Sequence, residues 1–309
     1  MKGKILQLFR SGNNEIISGE YLSRELGISR VSVWKHIHGL QESGYEIDAY
    51  PKGYRLISSP DIPYPWEFPE LESRIHYYPE LASTMDKARE LAGNNCPHFS
   101  VVIAGSQTKG RGRLKRQWQS TKGGLYFTIV LRPEIPPALS HTLNITASVT
   151  LVHTLRELYG IEAMVKWPND ILVHESKLSG ILSEMETESD MVKSFNMGIG
   201  INVNNDTSHV TPKACSLKKL LGRNVQKNEI LSQFLPRLEE SIKQEKFDRI
   251  MSAWKGFNIT INRKVKIVTF NEEIEGLAVD VDETGALLLK VSDGSIQRIN
   301  YGDCFLQGA

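Results

Sequence analysis

The chain has 309 residues, with 37 Lys plus Arg against 36 Asp plus Glu, a formal net charge of +1. Its 40% hydrophobic content suits packed cores and excludes a disordered chain, and no run approaches the roughly 18 apolar residues of a membrane span. A near-neutral total argues against nucleic acid as a partner, but a sum hides distribution: Leu91 to Pro133 holds no acidic residue and seven basic ones, Lys109, Arg111, Arg113, Lys115, Arg116, Lys122 and Arg132.

Met1 to Arg10 reads as a helix start. It has neither the apolar region nor the small-residue cleavage site of a secretory signal. Ser18 to Leu26 predicts a short helix stopped by Gly27, and Ser29 is placed to cap the next one. In that helix Val33, Ile37 and Leu40 share a face, leaving Arg30, Ser32, Lys35 and His36 outward. A hairpin follows, Tyr45–Tyr50 and Tyr54–Ile57, with Lys52 at its tip. Helix, glycine turn, polar and basic helix, then wing is a winged helix-turn-helix order. Ser29, Arg30, Ser32, Lys35 and Lys52 are the expected DNA contacts, since Arg and Lys donate to guanine edges and phosphates. The alternative is a helical module for dimerisation or docking only. Residues 1–60 carry 8 basic and 6 acidic side chains, so one copy should bind DNA weakly and such modules act in pairs.

Four prolines between Pro60 and Pro69 forbid regular structure and predict a stiff, extended linker at 61–70. Beyond it, 75–78, 101–104, 125–131 and 197–203 read as strands. Residues 144–158 and 229–243 read as helices, with Ile145, Val149, Val152 and Leu155 near one face. Few strands are separated by a full helix, so the class expected is α+β. After a helical pattern at 247–254, short alternating segments between 265 and 299 predict a small antiparallel barrel or sheet. The expected domains are therefore 1–60, a linker at 61–70, 71–257 and 258–309. Cys96, Cys215 and Cys304 lack metal spacing and fit a reducing cytoplasm.

Within the middle block, Ser83-Thr84-Met85-Asp86 fits a capping box, which also presents hydroxyls and free backbone donors at one spot. Gln107 to Trp118 alternates glycine with arginine, suited to closing around an anion; a solvated basic loop or a nucleic-acid contact is equally open. It is neither a Walker loop nor a dinucleotide fingerprint. Lys166-Trp167-Pro168-Asn169-Asp170 breaks a strand with a turn. Lys177 precedes an apolar run, as a solvated strand end or a cation aimed at a ligand. No metal site is expected; Asp170 is a weak candidate ligand and equally a turn cap.

These motifs stand in one order: Ser83-Thr84, Gln107 through Gly110-Arg111-Gly112-Arg113, Arg116-Gln117-Trp118, Lys166 to Asp170, Lys177-Leu178-Ser179-Gly180-Ile181-Leu182 and Gly198 to Asn204. On them the chain resembles the bifunctional biotin–protein ligases and biotin operon repressors over essentially its full length. The resemblance implies a winged helix-turn-helix, a central mixed-sheet α/β ligase domain and a small C-terminal SH3-like β-barrel. It implies biotin and ATP as substrates, with Mg²⁺. Biotinyl-5′-AMP would be formed, and the biotinyl group passed to a lysine of a biotin carboxyl carrier protein domain. The adenylate would be corepressor for a homodimer on operator DNA. Ser83, Thr84, Met85 and Gln107 match biotin-contacting positions. Arg111, Gly112 and Arg113 match the loop closing over biotin and adenylate, Trp118 a position near the nucleotide, and Lys177 the carboxyl–phosphate junction. Met85 stands where relatives commonly have Asn, and Lys115 where they often have Gly. Because carboxylate and phosphate must meet, Arg113 and Lys177 are the expected catalytic clamps. Competing readings are a lipoate–protein ligase and a biotin sensor without ligase activity.

Overall fold

The computed structural model describes residues 1–12, 15–210, 213–244 and 247–307, and of Lys115 the backbone only. The chain divides into two compact units, Met1–Ile75 and His76–Ala309. Ser and Gly punctuate the helices of the first unit: α1 (Lys2–Ser11), α2 (Gly19–Leu26) and α3 (Arg30–Gln41). Ser18 Oγ accepts the Tyr21 N–H at 3.0 Å and Ser29 Oγ accepts that of Ser32 at 3.1 Å, satisfying donors that a helix start leaves free. Gly27 takes φ +64° and closes α2 in a left-handed cap. Val33, Ile37 and Leu40 are buried as expected, against Ile5, Leu6, Phe9 and Leu22.

Antiparallel β1 (Glu46–Tyr50) and β2 (Gly53–Ser58) follow. Ile17 joins them through two backbone bonds to Tyr54, of 2.8 and 2.9 Å. Gly53 makes this possible: its φ is +147°, and a Cβ there would lie 2.2 Å from the Ile17 carbonyl oxygen.

The proline-rich segment is not the extended connection expected. It makes a 3₁₀ turn at Pro65–Glu67, and Tyr64 and Trp66, stacked at 4.5 Å, pack on the core of the first unit. Glu67 accepts from Arg10 Nη2 at 2.9 Å and from the Tyr45 hydroxyl. Proline stiffens the backbone but leaves intervening aromatic side chains free to bury, and here burial sets the path.

The second unit is built on a seven-stranded sheet ordered β3-β4-β5-β9-β8-β7-β6. Its strands are β3 (Ile75–Tyr78), β4 (Ser100–Ala104), β5 (Leu125–Leu131), β6 (Met164–Lys166), β7 (Asp170–Val173), β8 (Ser176–Glu188) and β9 (Met191–Ile201). Pairing from β4 through β6 is antiparallel, whereas the Leu81–Gln107 bridge is parallel. Helix α4 (Thr84–Gly93) packs on β5, and α5 (His141–Tyr159) packs on α7 (Lys227–Lys243) and α8 (Phe247–Gly256); α6 (Leu217–Leu221) is short. The apolar stripe expected for α5 understates its burial. Thr146, Ser148, Thr150 and Thr154 are also buried, each returning its hydroxyl to the carbonyl four residues back at 2.8 Å. Those bonds let polar residues face a packed neighbour at little cost.

The C-terminal strands β10 (Lys264–Val268), β11 (Glu273–Val281), β12 (Leu287–Lys290), β13 (Ile296–Ile299) and β14 (Asp303–Leu306) pair antiparallel in the order β13-β12-β11-β10-β14. The outer strands β13 and β14 are not paired with each other, so this is an open β-rich sheet rather than the closed barrel expected. Residues 308–309, the end of that expected domain, lie outside the described residues.

Replacing Gly53 by Ala should open the Ile17–Tyr54 pairing, costing more than about 1 kcal/mol because the residue must also hold a positive φ. Hydrogen exchange should then rise across α3, β1 and β2 while β8 and β9 keep their protection. Equal protection in both forms would show that the close approach carries no stability.

Candidate active site

The cavity of interest lies in the second unit, and its floor is the middle of the sheet. Gly180 on β8 and Gly200 on β9 are direct register partners. Against the face of both lies the indole of Trp118: a Cβ on Gly200 would meet it at 2.6 Å, and one on Gly180 at 3.1 Å. Glycine here is required by the close approach of a ring to the sheet. Lys177 Nζ stands 5.1 Å from the centre of the same ring and 2.7 Å from Asp170 Oδ1.

One end of the cavity is polar and dry. Gln107 Oε1 accepts from the Thr84 N–H at 2.7 Å and from the Thr84 hydroxyl at 3.0 Å, and its Nε2 donates to Ser120 Oγ at 2.8 Å. Thr84 Oγ1 accepts from the Thr128 hydroxyl at 2.9 Å. Gln107 and Thr84 are thereby locked in orientation, leaving one Gln107 N–H uncommitted. Ser83 sits at the start of α4, but the capping box expected there does not form. Ser83 makes no side-chain cap bond, and Asp86 pairs instead with Arg111 at 3.1 Å. The Ser83 hydroxyl is buried without a partner at the cavity wall. A buried free hydroxyl beside an oriented amide can take a ligand's carbonyl or N–H.

The other end is cationic. Residues 107–120 fold back on themselves: bridges Gln107–Ser120 and Arg111–Gln117 flank a 3₁₀ turn at Arg113–Lys115. This holds the glycine–arginine segment against the cavity rather than as a free loop. Arg113 Nη1 donates to Asn169 Oδ1 at 3.3 Å. Burial lowers the guanidinium pKa below its ordinary value, while the charges of Asp303 and Asp170 act to raise it. Arg116 pairs with Asp303 on β14 at 2.6 Å. The Lys115 side chain, one of the two departures from the family pattern, lies outside the described atoms. Met85, the other, packs its sulfur where a Cβ on Gly198 would stand 2.7 Å away, an apolar contact.

Asn169 and Asp170 are placed by a hairpin between β6 and β7 whose Trp167–Pro168 bond is cis. Trp167 is 1% exposed. Its N–H donates to Thr260 Oγ1 at 2.9 Å and its Nε1 to the Gly285 carbonyl at 3.0 Å, both in the C-terminal segment. Asp170 is thus engaged with Lys177, and no cluster of three His, Cys, Asp or Glu side chains suited to a metal occurs among the described residues.

Ser83, Thr84, Met85, Gln107, Arg111, Gly112, Arg113, Trp118 and Lys177 all line one cavity of about 410 Å³. Sequence reasoning passed over Asn169, Arg116 and the β14 wall of Asp303 to Leu306. The Asn169 motif was visible; the β14 residues carry no local signal. In the first unit, Ser29, Arg30 and Lys35 are exposed on α3, Ser32 is partly so, and Lys52 is exposed at the hairpin turn. The Ser29 hydroxyl caps α3, and the Ser32 hydroxyl pairs with it at 3.0 Å. Trp34, 55% exposed beside them and stacked on His38 at 5.5 Å, was overlooked, although it falls outside the buried i, i+4, i+7 set.

Cys304 lines the cavity, and burial raises its thiol pKa to about 12; burial likewise raises Cys215 to about 11. A raised pKa leaves little thiolate near neutrality. Iodoacetamide at pH 8 should therefore label the half-buried Cys96 first, with Cys215 and Cys304 reacting only as the pH climbs. Early labelling of Cys304, read by peptide mass mapping, would contradict this.

Three family models match the chain: the HTH domain over residues 2–55, the Biotin/lipoate A/B protein ligase family over 79–204 and the Biotin protein ligase C terminal domain over 260–307. The chain is 36% identical to the bifunctional ligase/repressor BirA of Bacillus subtilis, covering 98% of each chain. It is 31% identical to the protein of the same description from Escherichia coli, covering 96% of this chain and 95% of that one. Among solved structures, the biotin protein ligase of Aquifex aeolicus in complex with biotin and ATP superposes with a TM-score of 0.65 at 29% identity, covering 76% of this chain and 99% of that one. An α/β ligase fold is thus preceded by a helix-turn-helix and followed by a β-rich C-terminal sheet. The chain belongs to the biotin/lipoate A/B protein ligase family, among its bifunctional ligase/repressor members.

Proposed function

We propose that this chain is an ATP-dependent biotin–protein ligase that also represses transcription of biotin genes, with biotinyl-5′-AMP as corepressor. The observation that carries the reading is the polarity of one cavity. A free Ser83 hydroxyl and an oriented Gln107 lie at one end, and Arg113 and Lys177 at the other. Biotin pairs a neutral ureido ring with a carboxylate and matches that gradient. Ser83, Thr84 and Gln107 bind the ureido group, with Met85 as apolar wall. Arg111 and Gly112 belong to the covering loop, and Trp118 packs near the nucleotide.

In the first step a biotin carboxylate oxygen attacks the α-phosphorus of ATP, and the bond to the β-phosphate breaks to release pyrophosphate. Arg113 and Lys177 draw the two anions together and take up charge developing on the phosphoryl oxygens. Mg²⁺, if it accompanies the nucleotide as this ion usually does, would supply further positive charge opposite the phosphoryl oxygens, while Arg113 and Lys177 keep these roles. In the second step a neutral lysine amine of the carrier domain attacks the acyl carbon, and AMP leaves. The mixed anhydride hydrolyses readily, so the loop's cover keeps water out.

The first 60 residues form the DNA-binding domain, with 46–58 as its wing. Residues 61–70 link it to the catalytic domain at 71–257, and 258–309 form an SH3-like domain. Ser29, Arg30, Ser32, Lys35 and Lys52 face operator DNA. Weak charge on one copy is compensated by ligand-promoted dimerisation, which doubles the contacts on paired half-sites. No helix among the described residues is long and apolar enough to cross a membrane; with three free cysteines, a reducing cytoplasm is the proposed setting.

Labelled biotin, ATP and a carrier domain should yield labelled carrier. Pyrophosphate release with lipoate but none with biotin would replace this reading by a lipoate ligase. Operator binding without carrier labelling would leave a sensor. Arg113→Ala should lower biotin-dependent pyrophosphate release by about 10²- to 10³-fold without unfolding, the scale of losing one charge-stabilising donor. Arg30→Ala should weaken operator binding roughly tenfold in a gel-shift titration while ligation is retained, since a lost base contact costs about 1–3 kcal/mol.

A further inference from the structure

The arginines of the loop are not equivalent. Arg113 rests on Asn169, a neutral partner. Arg111 is bracketed by two carboxylates: Nη1 lies 3.0 Å from Glu184 Oε1, and Nη2 lies 3.1 Å from Asp86 Oδ1 and 3.2 Å from Glu184 Oε2. Arg89 completes the cluster, pairing with Glu184 and standing 3.6 Å from Asp86. Two guanidinium groups and two carboxylates sum to zero. A ligand carboxylate or phosphate approaching Arg111 would meet both acids at once.

The cluster joins three elements. Asp86 lies in the first turn of α4, two residues beyond Thr84; Glu184 lies on β8, the strand of Lys177 and Gly180; Arg111 lies in the loop, where its backbone also bridges to Gln117. We infer that Arg111 is a positioning residue. With Asp86 and Glu184 it latches the loop to α4 and β8, and it holds the adenylate through the loop's closure rather than by touching an anion. The inference rests on the ligase reading above. It separates the arginines by role, with Arg113 facing the reacting anions and Arg111 fixing the backbone that carries it.

The two roles predict opposite signs. If Arg111 bound the ligand's anion, neutralising Asp86 or Glu184 would free it and lengthen adenylate retention. If Arg111 is a latch, Glu184→Gln and Asp86→Asn should each shorten the half-life of bound biotinyl-5′-AMP by about two- to five-fold, the scale of partly exposed ion pairs. Each should add little on top of Arg111→Ala, because all remove one coupled interaction. Glu184→Asp, which keeps the charge, should restore most of the retention. Asp86 also lies near the α4 N-terminus, so Glu184→Gln is the variant free of a helix-end effect.

Hydrogen exchange of the 110–118 amides, measured on the full chain alone, reads the latch without substrates and should rise in Glu184→Gln. Unchanged loop exchange, or a longer adenylate half-life in either variant, overturns the latch. Absence of biotin-dependent pyrophosphate from the parent chain would instead sink the ligase reading, and loop exchange would still decide the latch.

Discussion

Six cations, Arg111, Arg113, Arg116, Lys166, Lys177 and Lys213, line a single cavity, and like charges gathered so closely repel unless each is held. Attraction between two reacting anions and the protein demands that cationic field, and the fold must stabilise it without quenching it. Carboxylates in the same cavity wall do this: Asp170 holds Lys177 at 2.7 Å and Asp303 holds Arg116 at 2.6 Å. Each comes from a different element, so the site depends on β7 and β14 as much as on the loop. Removing one acid would leave its cation unpaired in a partly dry space, a larger loss than the pair's own attraction.

The same requirement explains the path of the chain around Trp167. Asn169 and Asp170 must present side chains to the cavity from the end of a three-residue turn, 167–169, and the first residue of the strand that follows it. Trp167, buried and bonded to Thr260 and to the Gly285 carbonyl, anchors that turn to the C-terminal segment. Packing, hydrogen bonding and site geometry are here one arrangement. Across the cavity, the locked Thr84–Gln107–Ser120 chain keeps polar groups oriented before any ligand meets them, which lowers the ordering cost of binding.

Two strands were legible in the sequence to their ends, 125–131 as a continuous apolar run that the fold buries throughout and 296–299 as a short segment set off by the turn at Asp293-Gly294. The residues converging on the cavity were legible as ordered motifs. What local pattern cannot carry is a choice among partners. Asp86 fits a cap by spacing, yet a guanidinium brought from the loop competes for it and prevails, as charge-assisted bonds are the stronger kind. Tyr64 and Trp66 sit among prolines that speak for extension, but their rings bury on a core formed elsewhere. The short C-terminal segments left a barrel and a sheet equally open and the resemblance implied an SH3-like barrel, whereas hydrogen-bond order leaves β13 and β14 as separate edges. Asp303 looked like one more acid in a segment of net charge −3 by count of residues 258–309; only the fold brings it to Arg116.

Strand β14 follows every other described element in chain order, yet it supplies Asp303 to Leu306 to the cavity wall and pairs with β10. Synthesis runs from the N-terminus, and units fold as they emerge. The helix-turn-helix can therefore be complete on the ribosome while the cavity still lacks a side. Until β14 has cleared the exit tunnel, the nascent chain holds Arg116 without its acid and the pocket open to water. An enzyme assembled in this order has its DNA-reading part ready first and its chemistry ready last, so a prematurely terminated chain would keep the fold of the first and lose the second.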